Sequence, residues 1–100
     1  MMVAVHYQFF LTDSGVEIFP DWVALAASAM GASEGFVGAE LFDSVAGDES
    51  CHMMVRFREE EDAWKWAMSP EHIRVLERLD GHHTRPWRTA TYRIQQIPHS

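Results

Sequence analysis

The chain has 100 residues, which is the size of one domain with a modest hydrophobic core. Hydrophobic residues make up 47% of it and charged residues 23%, as in ordinary globular proteins and unlike disordered chains. Fifteen acidic and eight basic side chains give a net charge of −7, which argues against nucleic acid and anionic membrane surfaces as partners.

The first strand is predicted from an alternating pattern over residues 3–11. The odd positions are the more apolar, so we expect them to face the core, with the even positions on the opposite face. The apolar start lacks a basic segment and a cleavage site, so no signal peptide is expected. The odd face carries Val3, Val5, Tyr7, Phe9 and Leu11, and the even face carries Ala4, His6, Gln8 and Phe10.

The first helix is predicted to begin near Pro20, which suits the first helical turn, and to run for about ten residues. Gly31 is expected to stop it in a left-handed conformation. Ser14 and Glu17 have the spacing of a capping box, but a helix that begins there contains Pro20 in its interior, so the later start is favoured. The predicted buried stripe consists of Ile18, Trp22, Leu25 and Ala29.

Two further strands are predicted over residues 36–43 and 51–58, with a bend at Gly47 and Asp48 between them. The facing of the first of these is open, since apolar residues occur on both sides. Cys51 is the only cysteine, which rules out an internal disulfide and favours a reducing, cytoplasmic setting. One face of the second strand carries Cys51, Met53, Val55 and Phe57.

Residues 60–68 predict a short helix, and Ser69, Pro70 and Glu71 predict the start of another that runs to about Leu79 before Gly81. Residues 84–97 predict a last strand, in which Pro86 favours an edge position. The order indicates one α+β domain over residues 1–100, with a ferredoxin-like βαββαβ arrangement. Its four-stranded antiparallel sheet would carry the helices on one face and the first and third strands in the middle.

The sheet face without helices is expected to be too apolar for water and too polar for a dry core. A second copy stacked on this face would cover it, so we predict a homodimer through the sheet; the alternative is a monomer with a partly exposed sheet. The predicted open face carries His6, Gln8, Phe10, His52, Met54, Arg56 and Arg58.

A pocket is predicted between the sheet and the helices. Ala63 and Ala67 form a small-residue stripe that is flanked by Trp64 and Trp66. His72 is expected to point inward with Ile73, Val75, Leu76 and Leu79. Such a pocket would suit an aromatic ligand, and a neutral His72 near a helix start would accept a proton from it.

The predicted site consists of three catalytic and four substrate-binding residues. The alternative is that all of these side chains serve packing alone. The catalytic set is His72, Trp66 and Tyr7, and the substrate-binding set is Phe57, Met53, Leu76 and Tyr92.

No metal site is predicted. His82 and His83 are adjacent but lack a third ligand, and they are interpreted as a solvated loop. The four acidic residues 59–62 are interpreted as a solvated helix start, because a calcium loop needs a different spacing. Phosphate-binding glycine loops, nucleophile elbows and zinc-protease motifs do not occur in the sequence.

The chain resembles the antibiotic biosynthesis monooxygenase family of dimeric α+β barrels over most of its length. The resemblance rests on the order of the elements and on the segments EGFVGAELFDS and MMVRFREEEDAWKWAMSPEH. It implies a homodimer with one pocket in each subunit. Members include cofactor-independent oxygenases of phenolic polycycles or quinols, haem-degrading enzymes and small-molecule isomerases.

Trp66 lies where many members of this family have a pocket tryptophan. The haem-degrading members have a histidine at the position of Leu76 and an asparagine at that of Tyr7, and this chain contains no asparagine. Both differences argue against haem degradation, unless His72 substitutes as the ligand. Because one fold hosts several reactions, the chemistry does not follow from the resemblance.

Three functions are compatible with the sequence. The first is a cofactor-free monooxygenase or other oxidoreductase, in which Trp66 and Tyr7 orient a hydroxylated aromatic or quinol-like substrate and His72 removes its proton. The second is a non-catalytic protein that binds a small molecule, and the third is haem binding through His72. A pocket of about 300 Å³ or more favours the enzyme, whereas a pocket filled by Trp66, Phe57 and Met53 favours the second function.

Overall fold

Four antiparallel strands form one sheet in the computed structural model, which describes residues 1–98. The spatial order is β2-β3-β1-β4, so the first and third strands lie in the middle and β4 lies at an edge, as predicted. The α+β, ferredoxin-like fold class is confirmed; His99 and Ser100 of the predicted domain 1–100 lie outside the described residues. The elements are β1 (Val3–Leu11), α1 (Asp13–Met30), β2 (Phe36–Phe42), β3 (Cys51–Phe57), α2 (Glu60–Ala67), α3 (Pro70–Glu77) and β4 (His83–Arg93).

The core lies between the helices and one face of the sheet. The odd residues of β1 lie on this face. They pair with Met53, Val55 and Phe57 of β3, which point to the same side of the sheet. Val3, Phe9 and Val55 are completely buried. The strand faces predicted from the period-two patterns are therefore confirmed. The facing of β2 is now defined as well, since Leu41 pairs with Met53 on the helix face and Phe42 pairs with His52 on the open face.

Helix α1 begins seven residues before Pro20, so its predicted start was wrong. The Thr12 hydroxyl caps the helix by accepting a hydrogen bond from the Gly15 N–H at 3.2 Å. Pro20 is tolerated in the interior because it is exposed, as is Val16 one turn before it, so that water can solvate the Val16 carbonyl group that lacks a donor.

The buried side of α1 is rotated relative to the predicted stripe. Ile18 is 36% and Leu25 is 41% exposed, so neither is a core residue. Gly31 has an ordinary right-handed conformation, with φ −59°, and the left-handed residue is Gly35, with φ +78°. The buried residues are Gly15, Phe19, Trp22, Val23, Ala26 and Met30.

Gly35 is required by both conformation and space. A Cβ atom at this position would lie 2.0 Å from the Asp62 carboxylate, and the positive φ disfavours other residues. The bend predicted at Gly47 is confirmed, with φ +80°. The close contact of Gly35 with Asp62 brings the chain before β2 against the first turn of α2.

The second half of the chain follows the predicted order with shorter elements. The Ser69 hydroxyl caps α3 by accepting from the His72 N–H at 3.2 Å, which confirms the predicted helix start. Helix α3 ends at Glu77, and Leu79 is fully buried in the turn after it. Ile73 is 54% exposed, so its predicted inward position was wrong. Strand β4 ends at Arg93 rather than at residue 97.

Helices α1 and α3 are joined by a buried hydrogen bond. The indole N–H of Trp22 donates to the Val75 carbonyl oxygen at 2.8 Å, and the Trp22 side chain also packs against Phe9. This bond holds α3, which carries His72, against the longest helix.

Replacing Trp22 by phenylalanine is expected to lower the free energy of unfolding by about 1–3 kcal/mol, because the Val75 carbonyl is left without its donor. The measurement is urea unfolding of both proteins. Trp64→Phe is the matched control, since Trp64 is 63% exposed and should change stability little. Equal effects of the two substitutions would show that the Trp22 bond does not stabilise the helix pair.

Candidate active site

A cavity of about 240 Å³ lies between the helix face of the sheet and helices α2 and α3. It occupies the region predicted from the sequence. Its walls are mostly apolar, with a few polar tips, as is typical of small-molecule sites. The lining residues are Val5, Tyr7, Phe57, Glu60, Ala63, Trp64, Trp66, Ala67, His72, Trp87, Thr89 and Thr91.

The cavity exists because α2 presents its smallest side chains to this part of the sheet. Ala63 and Ala67 lie one turn apart, and neither fills the space above β1. Strand β4 forms the other wall, because its register places Thr89 beside Tyr7 and Thr91 beside Val5. Residues on facing positions of paired strands point to the same side of the sheet, so both threonines face the cavity.

Tyr7 provides a neutral hydroxyl group in the cavity wall. The residue is 5% exposed, and its hydroxyl group has no hydrogen-bond partner within residues 1–98. Burial raises the pKa of Tyr7 to about 12, because the phenolate would be poorly solvated. The side chain is therefore a permanent hydrogen-bond donor at neutral pH.

His72 provides an unpartnered imidazole across from Tyr7. Its ring meets Trp66 edge to face at 5.5 Å and lies 6.4 Å from the Tyr7 ring, measured between ring centroids. Neither ring nitrogen has a hydrogen-bond partner in the described part of the chain. Burial lowers the pKa of His72 below 6.5, so the ring is neutral at neutral pH and one nitrogen is free to accept a proton.

Three of the four tryptophans line the cavity. Trp66 is 4% exposed, whereas Trp64 is 63% exposed and lies at the rim. Trp87, on β4, was missed by the sequence analysis and packs on Tyr7 with ring centroids 5.9 Å apart. Its position follows from the pairing of β1 with β4, which the sequence pattern alone did not define.

The predicted substrate-binding residues are only partly brought together. Phe57 lines the cavity, whereas Met53 and Leu76 line a small neighbouring void that shares Tyr7, Trp66 and His72 with it. Tyr92 pairs with Ala4 on the opposite face of the sheet and is 55% exposed. Its predicted position in this pocket was wrong, because alternation along β4 points it away.

The open face of the sheet carries a polar network that was not predicted. His6 Nε2 lies 3.0 Å from His52 Nδ1, and His52 Nε2 lies 3.0 Å from an oxygen of Asp48. The Ser50 hydroxyl donates to the other Asp48 oxygen and accepts from Gln8. These hydrogen bonds, mainly those from Ser50, lower the pKa of Asp48 to about 2. The buried His52 thus has partners on both ring nitrogens.

Metal binding finds no support in the described residues. Among residues 1–98, no three histidine, cysteine, aspartate or glutamate side chains lie close enough to share an ion. His82 and His83 are not a solvated loop as interpreted, because both are half-buried and His83 begins β4 against Phe9. None of the helices formed by residues 1–98 has the length and apolar character of a transmembrane span.

Comparison with solved structures identifies the fold. The cofactor-independent oxygenase SnoaB from Streptomyces nogalater matches with a TM-score of 0.78 and 17% identity, over 96% of this chain and 95% of that one. A conserved protein from Methanosarcina mazei matches with a TM-score of 0.80 and 13% identity, over 95% of this chain and 94% of that one. A third match is a protein from Deinococcus radiodurans that is provisionally described as an antibiotic biosynthesis monooxygenase. Its TM-score is 0.80 and its identity is 8%, over 98% of this chain and 97% of that one.

Neither a family model nor a curated protein matches the sequence. The structural matches confirm the fold that the family resemblance implied: this chain folds as antibiotic biosynthesis monooxygenases do. At 8–17% identity the likeness establishes the architecture, and the chemistry has to be argued from the cavity itself.

His72 is expected to titrate below pH 6.5, because the cavity disfavours its charged form. The unfolded chain then binds the proton more readily, so the stability contributed by neutral His72 is complete above pH 6.5 and falls as the pH drops below it. Nuclear magnetic resonance titration of the imidazole measures this pKa directly. Urea unfolding at about pH 7.5 and 5.5 should lose part of its pH dependence in His72→Gln. A titration midpoint above 6.5 would contradict a desolvated ring.

Proposed function

We propose that the protein is a cofactor-independent oxidoreductase of the monooxygenase type, which acts on a hydroxylated aromatic or quinol-like molecule bound between sheet and helices. The observation that carries this proposal is the pair of polar groups without a hydrogen-bond partner, the Tyr7 hydroxyl and the His72 ring, in a mostly apolar cavity. The Tyr7 hydroxyl and the His72 ring both line the cavity, and neither is hydrogen-bonded to another side chain or to the backbone of residues 1–98, so both are available to a ligand.

The two polar groups are complementary in what they offer a phenol. Tyr7 donates a hydrogen bond to the substrate oxygen, and His72 accepts the proton of its hydroxyl group. Trp66 and Trp87 hold the ring by stacking and edge contacts. The resulting phenolate is electron-rich and shielded from bulk water, which is the condition for its direct reaction with dioxygen.

The reaction needs no reductant beyond the substrate. One oxygen atom of dioxygen bonds to a ring carbon and the other leaves as water, while the ring loses two hydrogens and becomes a quinone. For a naphthol this balances as C₁₀H₈O + O₂ → C₁₀H₆O₂ + H₂O. The substrate is oxidised by four electrons and dioxygen is reduced by four, with His72 taking up the first proton and returning it to the leaving water.

A second function is favoured by the size of the cavity. At about 240 Å³ it lies below the range of about 300–1,000 Å³ that is usual for small-molecule sites, so a binding protein without turnover is the alternative. The cavity is not filled by Trp66, Phe57 and Met53, which argues for a ligand in either case. A haem does not fit, because the space is small and Trp66 packs against the ring of His72.

Oxygen uptake tests the enzymatic proposal. Metal-free protein is expected to accelerate the conversion of 1-naphthol to 1,4-naphthoquinone, followed with an oxygen electrode and by quinone absorbance. His72→Ala should lower kcat by about a hundredfold or more, because the proton acceptor is lost. Tyr7→Phe should lower it less, since a single neutral donor is removed.

Ile73→Ala is the matched control, because Ile73 is exposed on the same helix and should leave the rate unchanged. Tight binding of 1-naphthol without oxygen uptake would favour the binding protein over the enzyme. An unchanged rate in His72→Ala would remove the role of this residue. Haemin titration without a His72-dependent spectrum is expected.

We further propose a homodimer in which a second copy covers the open sheet face. Its apolar groups are exposed at both edges, with Phe42 at 37% and Tyr92 at 55%. Arg85 lies 3.8 Å from the centre of the Phe10 ring, and Phe10 is only 7% exposed, so the apolar surface left for a partner lies at the edges of this face. In a dimer with two-fold symmetry, each copy would cover the open sheet face of the other.

The buried free thiol of Cys51 supports a reducing, cytoplasmic location.

Tyr92→Glu is expected to shift the protein from dimer to monomer, because it places a charge in the proposed interface without disturbing the core. Sedimentation equilibrium measures the change. Leu25→Glu, at a comparably exposed position on α1, is the control and should remain a dimer. Monomeric wild-type protein at micromolar concentration would refute the partner proposal and leave the cavity chemistry standing.

A further inference from the structure

The described lining of the cavity contains one acidic residue, Glu60, and no lysine or arginine. Tyr7 and His72 are uncharged at neutral pH for the reasons given above. An anionic ligand would therefore meet a carboxylate at the rim and no counter-charge inside.

The groups around Glu60 leave the charge at the cavity rim negative. Arg93 Nη2 donates to Glu60 at 3.1 Å, but the Arg93 side chain is 65% exposed and lies outside the lining. The positive end of α2 is offset by the three acidic residues of its first turn, Glu60, Glu61 and Asp62, and by Glu59 at the N-cap. The net charge of −7 adds a repulsive background for anions.

We propose that Glu60 makes the cavity selective for uncharged aromatic ligands over those with a carboxylate, sulfate or phosphate group. This inference rests on the proposed function of the cavity and narrows its substrate class to phenols and quinols without an acidic substituent. It also gives a role to one residue of the acidic segment 59–62, the only one of the four that lines the cavity.

Three naphthalene probes of similar size and different charge test the proposal: 2-naphthol, 2-naphthoate and 2-naphthylmethylammonium. Their Kd values are measured by isothermal titration calorimetry at about pH 7.5 and low salt. Glu60→Gln is expected to tighten naphthoate by about three- to tenfold, to weaken the ammonium probe by a similar factor, and to change naphthol less than twofold. These shifts should shrink in about 0.5 M salt.

Glu61→Gln is the matched control, because it removes the same charge one residue along, where the side chain is 79% exposed and pairs with Lys65. It should change all three Kd values less than twofold. A distortion of the cavity would move the three probes in the same direction, and this result in Glu60→Gln would overturn the inference. So would an unchanged naphthoate Kd while naphthol still binds. If no probe binds the wild-type protein, the proposed cavity function fails and the inference fails with it.

Discussion

The placement of β1 between two neighbours is the constraint on which the rest of the structure depends. With β3 on one side and β4 on the other, its backbone groups are satisfied and its two faces are determined. Every odd residue must then be covered by a helix. Where α2 covers it with alanines, space remains, and the only polar group that β1 directs into this space is the hydroxyl of Tyr7. The cavity is thus a consequence of sheet order combined with two small side chains.

Desolvation produces both polar functions of the site. The same burial that raises the pKa of Tyr7 lowers that of His72, because in each case the charged form is the one that loses water. The result is a neutral donor and a neutral acceptor in the same cavity, with their ring centroids 6.4 Å apart. Glu60 is the only acidic residue in the described lining, and its proposed effect is to select among ligands by their charge.

Features carried by local patterns were predictable, and those that depend on register were not. The period-two pattern of β1 and the Ser69-Pro70 helix start predicted that Tyr7 and His72 face the space between sheet and helices, and both line the cavity there. The start of α1 was wrong because the Thr12 cap outweighs the cost of an exposed Pro20. Trp87 was missed and Tyr92 misplaced because β4 is largely exposed and shows no apolar alternation. Its pairing with β1 is also irregular after Gln8.

The distribution of the indoles has an optical consequence. Trp64, Trp66 and Trp87 surround the cavity, while Trp22 is fastened to Val75 in the core between α1 and α3. Three of the four indoles therefore border the site, and an aromatic ligand bound there is expected to change their fluorescence. The fourth indole, Trp22, lies between α1 and α3, so its fluorescence is expected to report on the packing of these two helices.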